Sequence, residues 1–152
     1  MASCFPYTYT DCQSFIGRLV KTTPKNFLKR MHLTKSLAGN DLDLILVTNF
    51  ESSEEEIAAR KAVVLTARVH PGETNSSFIM HGFLEFICSQ DKQAKYLRNL
   101  YVFKIVPMLN PDGVVIGNYR CSLAGLDLNR QYINPNSKVC PEIFAAKDVR
   151  IL

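Results

Sequence analysis

The sequence has 152 residues, of which 47% are hydrophobic and 21% are charged, and this balance excludes a disordered or fibrous segment. The formal net charge of +4 comes from basic residues spread along the chain, so neither nucleic-acid nor membrane-surface binding is predicted. No apolar run reaches the ~18 residues of a membrane span, the chain begins without a secretion signal, and its five cysteines form no CxxC pair. We therefore expect a soluble, cytoplasmic protein with reduced thiols.

Hydrophobic periodicity predicts two helices, three buried strands and a polar surface connection. In chain order these are a helix at 9–20, a strand at 42–48, the connection at 51–61, a strand at 62–69, a helix at 74–89 and a strand at 100–106. The strands are apolar on both faces, which is typical of an α/β fold with helices flanking a mixed, largely parallel sheet. In such folds ligands gather at the carboxyl ends of the strands.

The segment His70-Pro71-Gly72-Glu73 lies where a buried strand gives way to a helix. An imidazole and a carboxylate three residues apart can turn toward one point and supply two zinc ligands, and catalytic zinc often takes a His2Glu set plus water. The alternative is a plain turn, in which Pro71 fixes φ, Gly72 permits tight geometry and the charged residues face solvent.

Three further motifs follow: NPDGV at 110–114, GNYR at 117–120 and DLNRQY at 127–132. The first also fits an ordinary β-turn. In the last, Asn129 beside Arg130 offers an amide donor and a guanidinium fork, which together can hold the carboxylate of a peptide C-terminus. The alternative for Arg130 is a surface ion pair.

With HPGE, NPDGV, GNYR and DLNRQY in this order, the chain resembles the M14 family of zinc carboxypeptidases. The residues of these motifs are most similar to those of the cytosolic carboxypeptidase branch, also called tubulin deglutamylases. Supporting segments are FPYTYT at 5–10, FKIVPML at 103–109 and CSLAG at 121–125, so the resemblance covers nearly everything from 5 to 132.

The resemblance implies a zinc cofactor held by His70 and Glu73, with Arg120 polarising the scissile carbonyl and stabilising the oxyanion. It implies that Asn129 and Arg130 bind the terminal carboxylate of the substrate. The implied partners are protein or peptide C-terminal tails, including glutamate-rich tails such as those of tubulin, and the implied location is the cytoplasm, with association with microtubules. No nucleic acid or membrane partner is implied.

The family carries its second zinc-binding histidine and its catalytic glutamate well downstream of DLNR, whereas residues 133–152 contain no histidine. His32 and His81 are expected to be structural or exposed. Residues 1–152 are therefore expected to form the N-terminal portion of an M14 carboxypeptidase domain, ending before the third zinc ligand, with an incomplete sheet. On this interpretation the chain alone is inactive, and the alternative function is a truncated, inactive carboxylate-binding module.

Overall fold

The computed structural model describes residues 4–149, which form six α-helices, four strands and one short 3-10 helix. In chain order the elements are α1 (Tyr9–Thr22), β1 (Leu28–Lys35), β2 (Asp41–Val47), α2 (Glu54–Ala59), β3 (Lys61–Thr66), α3 (Thr74–Ile87), α4 (Lys92–Leu100), β4 (Tyr101–Val106), α5 (Pro111–Ile116), the 3-10 helix (Leu128–Arg130) and α6 (Pro141–Asp148). All five predicted elements are present, with ends shifted by no more than three residues. None of the described helices is long and apolar enough to cross a bilayer.

The sheet has the strand order β1-β2-β4-β3. The predicted mixed α/β sheet is confirmed. In the described part of the chain, however, fewer of its strand pairs are parallel than expected. Only β3 and β4 pair in parallel, while β1 pairs with β2 and β2 with β4 in antiparallel fashion. The reason is β1. The hydrophobic pattern does not reveal this strand because five of the seven residues after Leu28 are polar or charged and most are exposed.

Helices cover both faces of the sheet. Alternate residues of β2 point to opposite sides, so Ile45 and Val47 join a core with α1 and α3, while Leu42 and Leu44 join a second core with α6. Lys104 lies buried in β4, and its Nζ donates to the Val149 carbonyl at the end of α6 over 3.1 Å. A cation is favourable there because helix C-termini carry partial negative charge.

The carboxyl ends of β3 and β4 lie side by side because the two strands are parallel. Their pairing continues past the strands, since the Leu109 N–H donates to the Ala67 carbonyl at 2.9 Å and Asn110 Nδ2 donates to the Val69 carbonyl at 3.1 Å. HPGE follows β3 and NPDGV follows β4, so both motifs meet at one sheet edge, as the fold class predicts.

The segment at 51–61 contains α2 rather than an irregular connection. Ser53 and Glu56 form a capping box, in which the Ser53 hydroxyl accepts from the Glu56 N–H at 3.2 Å and the Glu56 carboxylate accepts from the Ser53 N–H at 3.1 Å. No side chain of α2 is buried, which explains why hydrophobic periodicity does not detect it.

Candidate metal centre

The HPGE turn brings an imidazole and a carboxylate together, as the sequence predicts. His70 Nδ1 lies 3.2 Å from Glu73 Oε1, with the imidazole buried and the carboxylate about half exposed. Glu73 begins α3 without a side-chain capping bond, so its carboxylate is not used by the helix. Arg68 holds the turn from behind: it takes a left-handed φ of 55°, and its buried Nε donates to the Pro71 carbonyl at 2.9 Å.

Asp127 lies on the other side of the imidazole, with its Oδ1 3.0 Å from His70 Nε2. An ionised carboxylate only accepts hydrogen bonds, so a proton on Nε2 satisfies Asp127, and Nδ1 can meet Glu73 either with a second proton or, around a metal ion, with its lone pair. Two acceptors at 3.2 Å repel unless a proton or a cation lies between them. The turn can therefore hold either a proton or a metal cation between these two atoms.

The separation of the two atoms fits zinc. Zinc–nitrogen and zinc–oxygen bonds of about 2.0–2.2 Å at a tetrahedral angle place two ligand atoms about 3.4 Å apart. The observed 3.2 Å between His70 Nδ1 and Glu73 Oε1 is close to that value. Residues 4–149 contain no group of three His, Cys, Asp or Glu side chains that could hold a metal, so in the described part of the chain this turn offers two metal donors.

Asp127 also binds Arg120. Arg120 Nε and Nη2 lie 2.9 and 2.6 Å from Asp127 Oδ2, while Oδ1 accepts from the Asn129 N–H at 3.0 Å as well as from His70. Partial burial raises the pKa of Asp127, but the hydrogen bonds from His70, Arg120 and Asn129 together outweigh it and hold the pKa below its usual value. Asp127 therefore stays ionised at neutral pH and orients both neighbours.

The structure brings four side chains into one connected group: His70, Glu73, Asp127 and Arg120. The side chains of Asn129 and Arg130 project from the 3-10 helix into solvent. Within residues 4–149 neither side chain makes a hydrogen bond or ion pair, so the surface ion pair considered for Arg130 is not formed with any described residue. Their backbone is fixed by Asp127, which caps the 3-10 helix.

Close packing locks the motif segments together. The Gly72 N–H donates to the Tyr119 carbonyl at 2.8 Å, and a Cβ on Gly72 would lie 2.5 Å from the Tyr119 ring. A Cβ on Gly113 would overlap Pro71 and lie 2.8 Å from Asn110 Oδ1 and 2.9 Å from the Cys121 carbonyl. The HPGE, NPDGV and GNYR segments approach one another this closely only because Gly72 and Gly113 have no side chain.

Replacing Gly113 by alanine is expected to destabilise the protein by about 1–3 kcal/mol, because the Pro71 ring, the Asn110 side chain and the Cys121 carbonyl must shift to admit the methyl group. The matched control is Gly82→Ala, at a helical position with no atom within 4 Å of the new Cβ. The control should stabilise by about 0.5–1 kcal/mol, since alanine favours a helix interior. Thermal melts check both, and a Gly113→Ala melt equal to wild type would refute the close packing.

Sequence reasoning assigned no role to Asp127, although it stands in the DLNR motif. The available signal was its place before a short turn, because Asp is a preferred N-cap, but nothing in the sequence shows that the same carboxylate reaches a histidine 57 residues away. Of the other two histidines, one makes structural contacts and one is exposed to solvent. His81 stacks on Phe15 with ring centroids 3.5 Å apart, and His32 is exposed on β1.

The family model described as zinc carboxypeptidase (peptidase M14) matches residues 13–148. The chain belongs to the zinc carboxypeptidase family. The match spans all the motif segments, so this membership covers the HPGE turn and the Asp127 group alike.

Relatives within the family show the same membership. The chain is 55% identical over 149 residues to mouse cytosolic carboxypeptidase 2, which covers 97% of this chain and 17% of the relative. It is 46% identical over 149 residues to bovine cytosolic carboxypeptidase 3, which covers 97% of this chain and 15% of that relative. The chain thus spans less than a fifth of the length of the curated relatives it matches.

The chain is also similar in fold to a solved metallo-carboxypeptidase. The metallo-carboxypeptidase from Burkholderia cenocepacia superposes with a TM-score of 0.82 at 29% identity, covering 94% of this chain and 37% of that one. The mixed sheet and its flanking helices are therefore those of part of a carboxypeptidase domain.

Proposed function

We propose that this protein is a zinc metallocarboxypeptidase that removes residues from the C-termini of protein or peptide tails. The observation that carries the proposal is the pair of facing atoms, His70 Nδ1 and Glu73 Oε1, 3.2 Å apart, with Asp127 holding the other side of the imidazole. Families of this kind use a His2Glu zinc site with one position left for water.

In this proposal His70 and Glu73 hold the zinc, and the remaining histidine and the general base come from elsewhere in the protein, as the family resemblance implies. Bound zinc supplies Lewis-acid polarisation of the carbonyl and a water of lowered pKa. Asp127 accepts from His70 Nε2 in this proposal, which leaves Nδ1 to bind the zinc.

Arg120 is the group proposed to stabilise the oxyanion. The Nε–Nη2 edge of its guanidinium is held by Asp127, which fixes the plane of the fork. No other described residue forms a hydrogen bond or ion pair with the Arg120 side chain, so its outer N–H groups are available to an oxygen that gains negative charge. A cation held in advance needs no reorganisation during the reaction.

Arg130 and Asn129 are proposed to bind the free carboxylate that defines a carboxypeptidase substrate. Both side chains are exposed and lie directly after Asp127, on a turn that Asp127 caps. A guanidinium fork and an amide donor match the two oxygens of a carboxylate. Selection for chain ends follows, because an internal peptide bond offers no such group.

The proposed substrates are glutamate-rich tails, including those of tubulin, and the proposed location is the cytoplasm at microtubules. The support is resemblance to the cytosolic branch together with relatives named cytosolic carboxypeptidases. The second candidate is a binding module that grips acidic tails without cutting them, which is favoured by the presence of only two zinc donors among residues 4–149.

The test compares glutamate-tailed peptides that end in a free carboxylate with the same peptides ending in an amide. We expect zinc-dependent release of glutamate from the first set only. Arg130→Ala should raise KM at least about tenfold, and Arg120→Ala should lower kcat by about 10²–10³. The control is Arg18→Ala, which removes an exposed arginine paired with Glu85 at 3.7 Å.

Binding of the free-carboxylate peptide without cleavage, in protein that contains all the family motifs, would support the binding module instead. Equal cleavage of the amidated peptide, or an Arg130→Ala variant with the KM of Arg18→Ala, would refute the carboxylate role.

A further inference from the structure

An open cavity of about 340 Å³ lies against the HPGE turn, within the range of about 300–1,000 Å³ that is typical of ligand pockets. Its walls come from the stretch before α1, from the HPGE turn, and from α5 with the GNYR segment. Glu73 stands between two residues that line the cavity, Gly72 and Thr74. Arg120 directly follows a third, Tyr119. The cavity therefore adjoins both the proposed zinc donor and the proposed oxyanion group.

Tyr119 forms an exposed wall of this cavity. The residue is 80% exposed, yet its position is fixed, because its carbonyl accepts from the Gly72 N–H at 2.8 Å and its ring lies against Gly72. Its phenol forms no hydrogen bond with any residue from 4 to 149. Tyrosine offers a large, rigid contact area together with a polar group. Tyr119 thus presents a held ring and an unused hydroxyl to a ligand.

Arg68 is the only charged residue among the described residues that line the cavity. It is 4% exposed, and its Nε and Nη1 donate to the Pro71 carbonyl, the Tyr7 carbonyl and the Ser77 hydroxyl at 2.9–3.1 Å. Burial lowers the pKa of Arg68, but a guanidinium stays charged in proteins. No carboxylate within residues 4–149 forms an ion pair with it. Arg68 therefore gives the cavity a positive potential, which acts beyond contact distance.

The cavity lies on a flank of the centre that the DLNR segment does not occupy. In the proposed function Asn129 and Arg130 hold the terminal carboxylate of the substrate. None of the residues 126–132 lines the cavity, whereas the chain neighbours of Glu73 and Arg120 do. A peptide that passes the centre and continues away from Arg130 has this cavity beside it.

We propose that this cavity is the subsite for the residue just upstream of the scissile bond, and that it selects an acidic side chain there. Tyr119 supplies the contact, with its hydroxyl donating to the carboxylate, and Arg68 supplies the positive potential from beneath. The inference rests on the proposed function and adds a rule to it, which is that the preferred tail carries an acidic residue in the penultimate position.

The test measures peptide binding without turnover. Labelled peptides that end in Glu-Glu or in Gln-Glu, with the last peptide bond replaced by a ketomethylene group, are titrated into the zinc-loaded protein, and Kd is read by fluorescence anisotropy. The two peptides differ only in the charge of the penultimate side chain. We expect the Glu-Glu peptide to bind about five- to tenfold more tightly, because its extra carboxylate meets a positive charge that no described carboxylate offsets.

Two pairs of variants make the test specific. Pro6 is exposed and lines the cavity, so Pro6→Glu should reduce the preference for Glu-Glu to less than about twofold, whereas the neutral Pro6→Gln should keep it. Tyr119→Ala should weaken binding of both peptides at least about fivefold. Its control is Tyr96→Ala, which changes an exposed tyrosine on α4 and should leave both Kd values unchanged.

The outcomes separate this subsite from the proposed hydrolysis. Tighter binding of Glu-Glu that Pro6→Glu removes supports the subsite, and if ordinary peptides are then not cleaved, only the hydrolysis fails. Equal Kd values for the two peptides in the wild type, or equal Kd values in Tyr119→Ala and Tyr96→Ala, overturn the subsite even if ordinary peptides are cleaved. Absence of binding to either peptide overturns both.

Discussion

Replacing His70 by alanine is expected to abolish zinc binding, because the variant keeps only Glu73 of the donor pair that the HPGE turn assembles. One exposed carboxylate cannot hold zinc in a fixed geometry. Isothermal titration of the protein with zinc checks this. His32→Ala is the matched control, since that imidazole is exposed on β1 and should leave affinity unchanged.

Asp127→Asn should weaken zinc binding by about 10–100-fold in the same titration, although Asp127 is not a ligand. Loss of the negative charge weakens the bond to His70 Nε2, now 3.0 Å from Asp127 Oδ1, and removes the ion pair with Arg120. Asp41→Asn is the control, because it breaks exposed contacts with Lys35 at 2.8 Å and His32 at 3.4 Å, far from the HPGE turn in sequence. Equal zinc affinity in Asp127→Asn and wild type would show that the imidazole is oriented by something else.

The second large effect concerns Glu142, in the first turn of α6. Its side chain is 1% exposed, and its Oε2 has no hydrogen-bond partner. Burial raises the pKa of Glu142 to about 7, helped by the Asp112 carboxylate and opposed by a backbone hydrogen bond from Leu37. Asp112 cannot move away, since Ser36 Oγ, the Ala38 N–H and Asn40 Nδ2 bind it at 2.5–2.9 Å.

The sign of the pH dependence follows from the raised pKa. The folded state binds the Glu142 proton more tightly than the unfolded state, so stability falls as pH rises from 4.5 through about 7. At 1.36 kcal/mol per pKa unit, the difference between 4.5 and about 7 corresponds to about 3 kcal/mol. Below 4.5 this penalty is absent, and above about 7 it is fully present.

Glu142→Gln is therefore expected to be more stable than wild type at pH 8 by up to about 3 kcal/mol, and to differ little from it at pH 4.5. For a chain of this size that corresponds to roughly 6–12 °C in Tm. The control Glu54→Gln changes an exposed glutamate in the first turn of α2 and should shift Tm little at either pH. A Glu142→Gln melt that tracks wild type at both pH values would show that Glu142 is solvated.

The sequence predicts those parts of the molecule in which a local pattern carries the information. Residues 42–48 and 100–106 are almost continuously apolar, so both buried strands are found, and HPGE marks the donor pair because its members are three residues apart. β1 is missed because a strand on the sheet edge can be largely polar. Asp127 and Glu142 are missed because their roles depend on contacts between distant segments, which neither periodicity nor spacing reports.

In the proposed centre, His70 Nδ1 and Glu73 bind one zinc ion while Asp127 holds His70 Nε2. The most direct test is crystallography of the zinc-loaded protein, with anomalous data collected at the zinc edge. We predict one anomalous peak about 2.0–2.1 Å from His70 Nδ1 and about 2.0–2.2 Å from a Glu73 oxygen, with the Asp127 hydrogen bond intact. A peak on His70 Nε2, or zinc bound elsewhere with the HPGE turn empty, would contradict the claim.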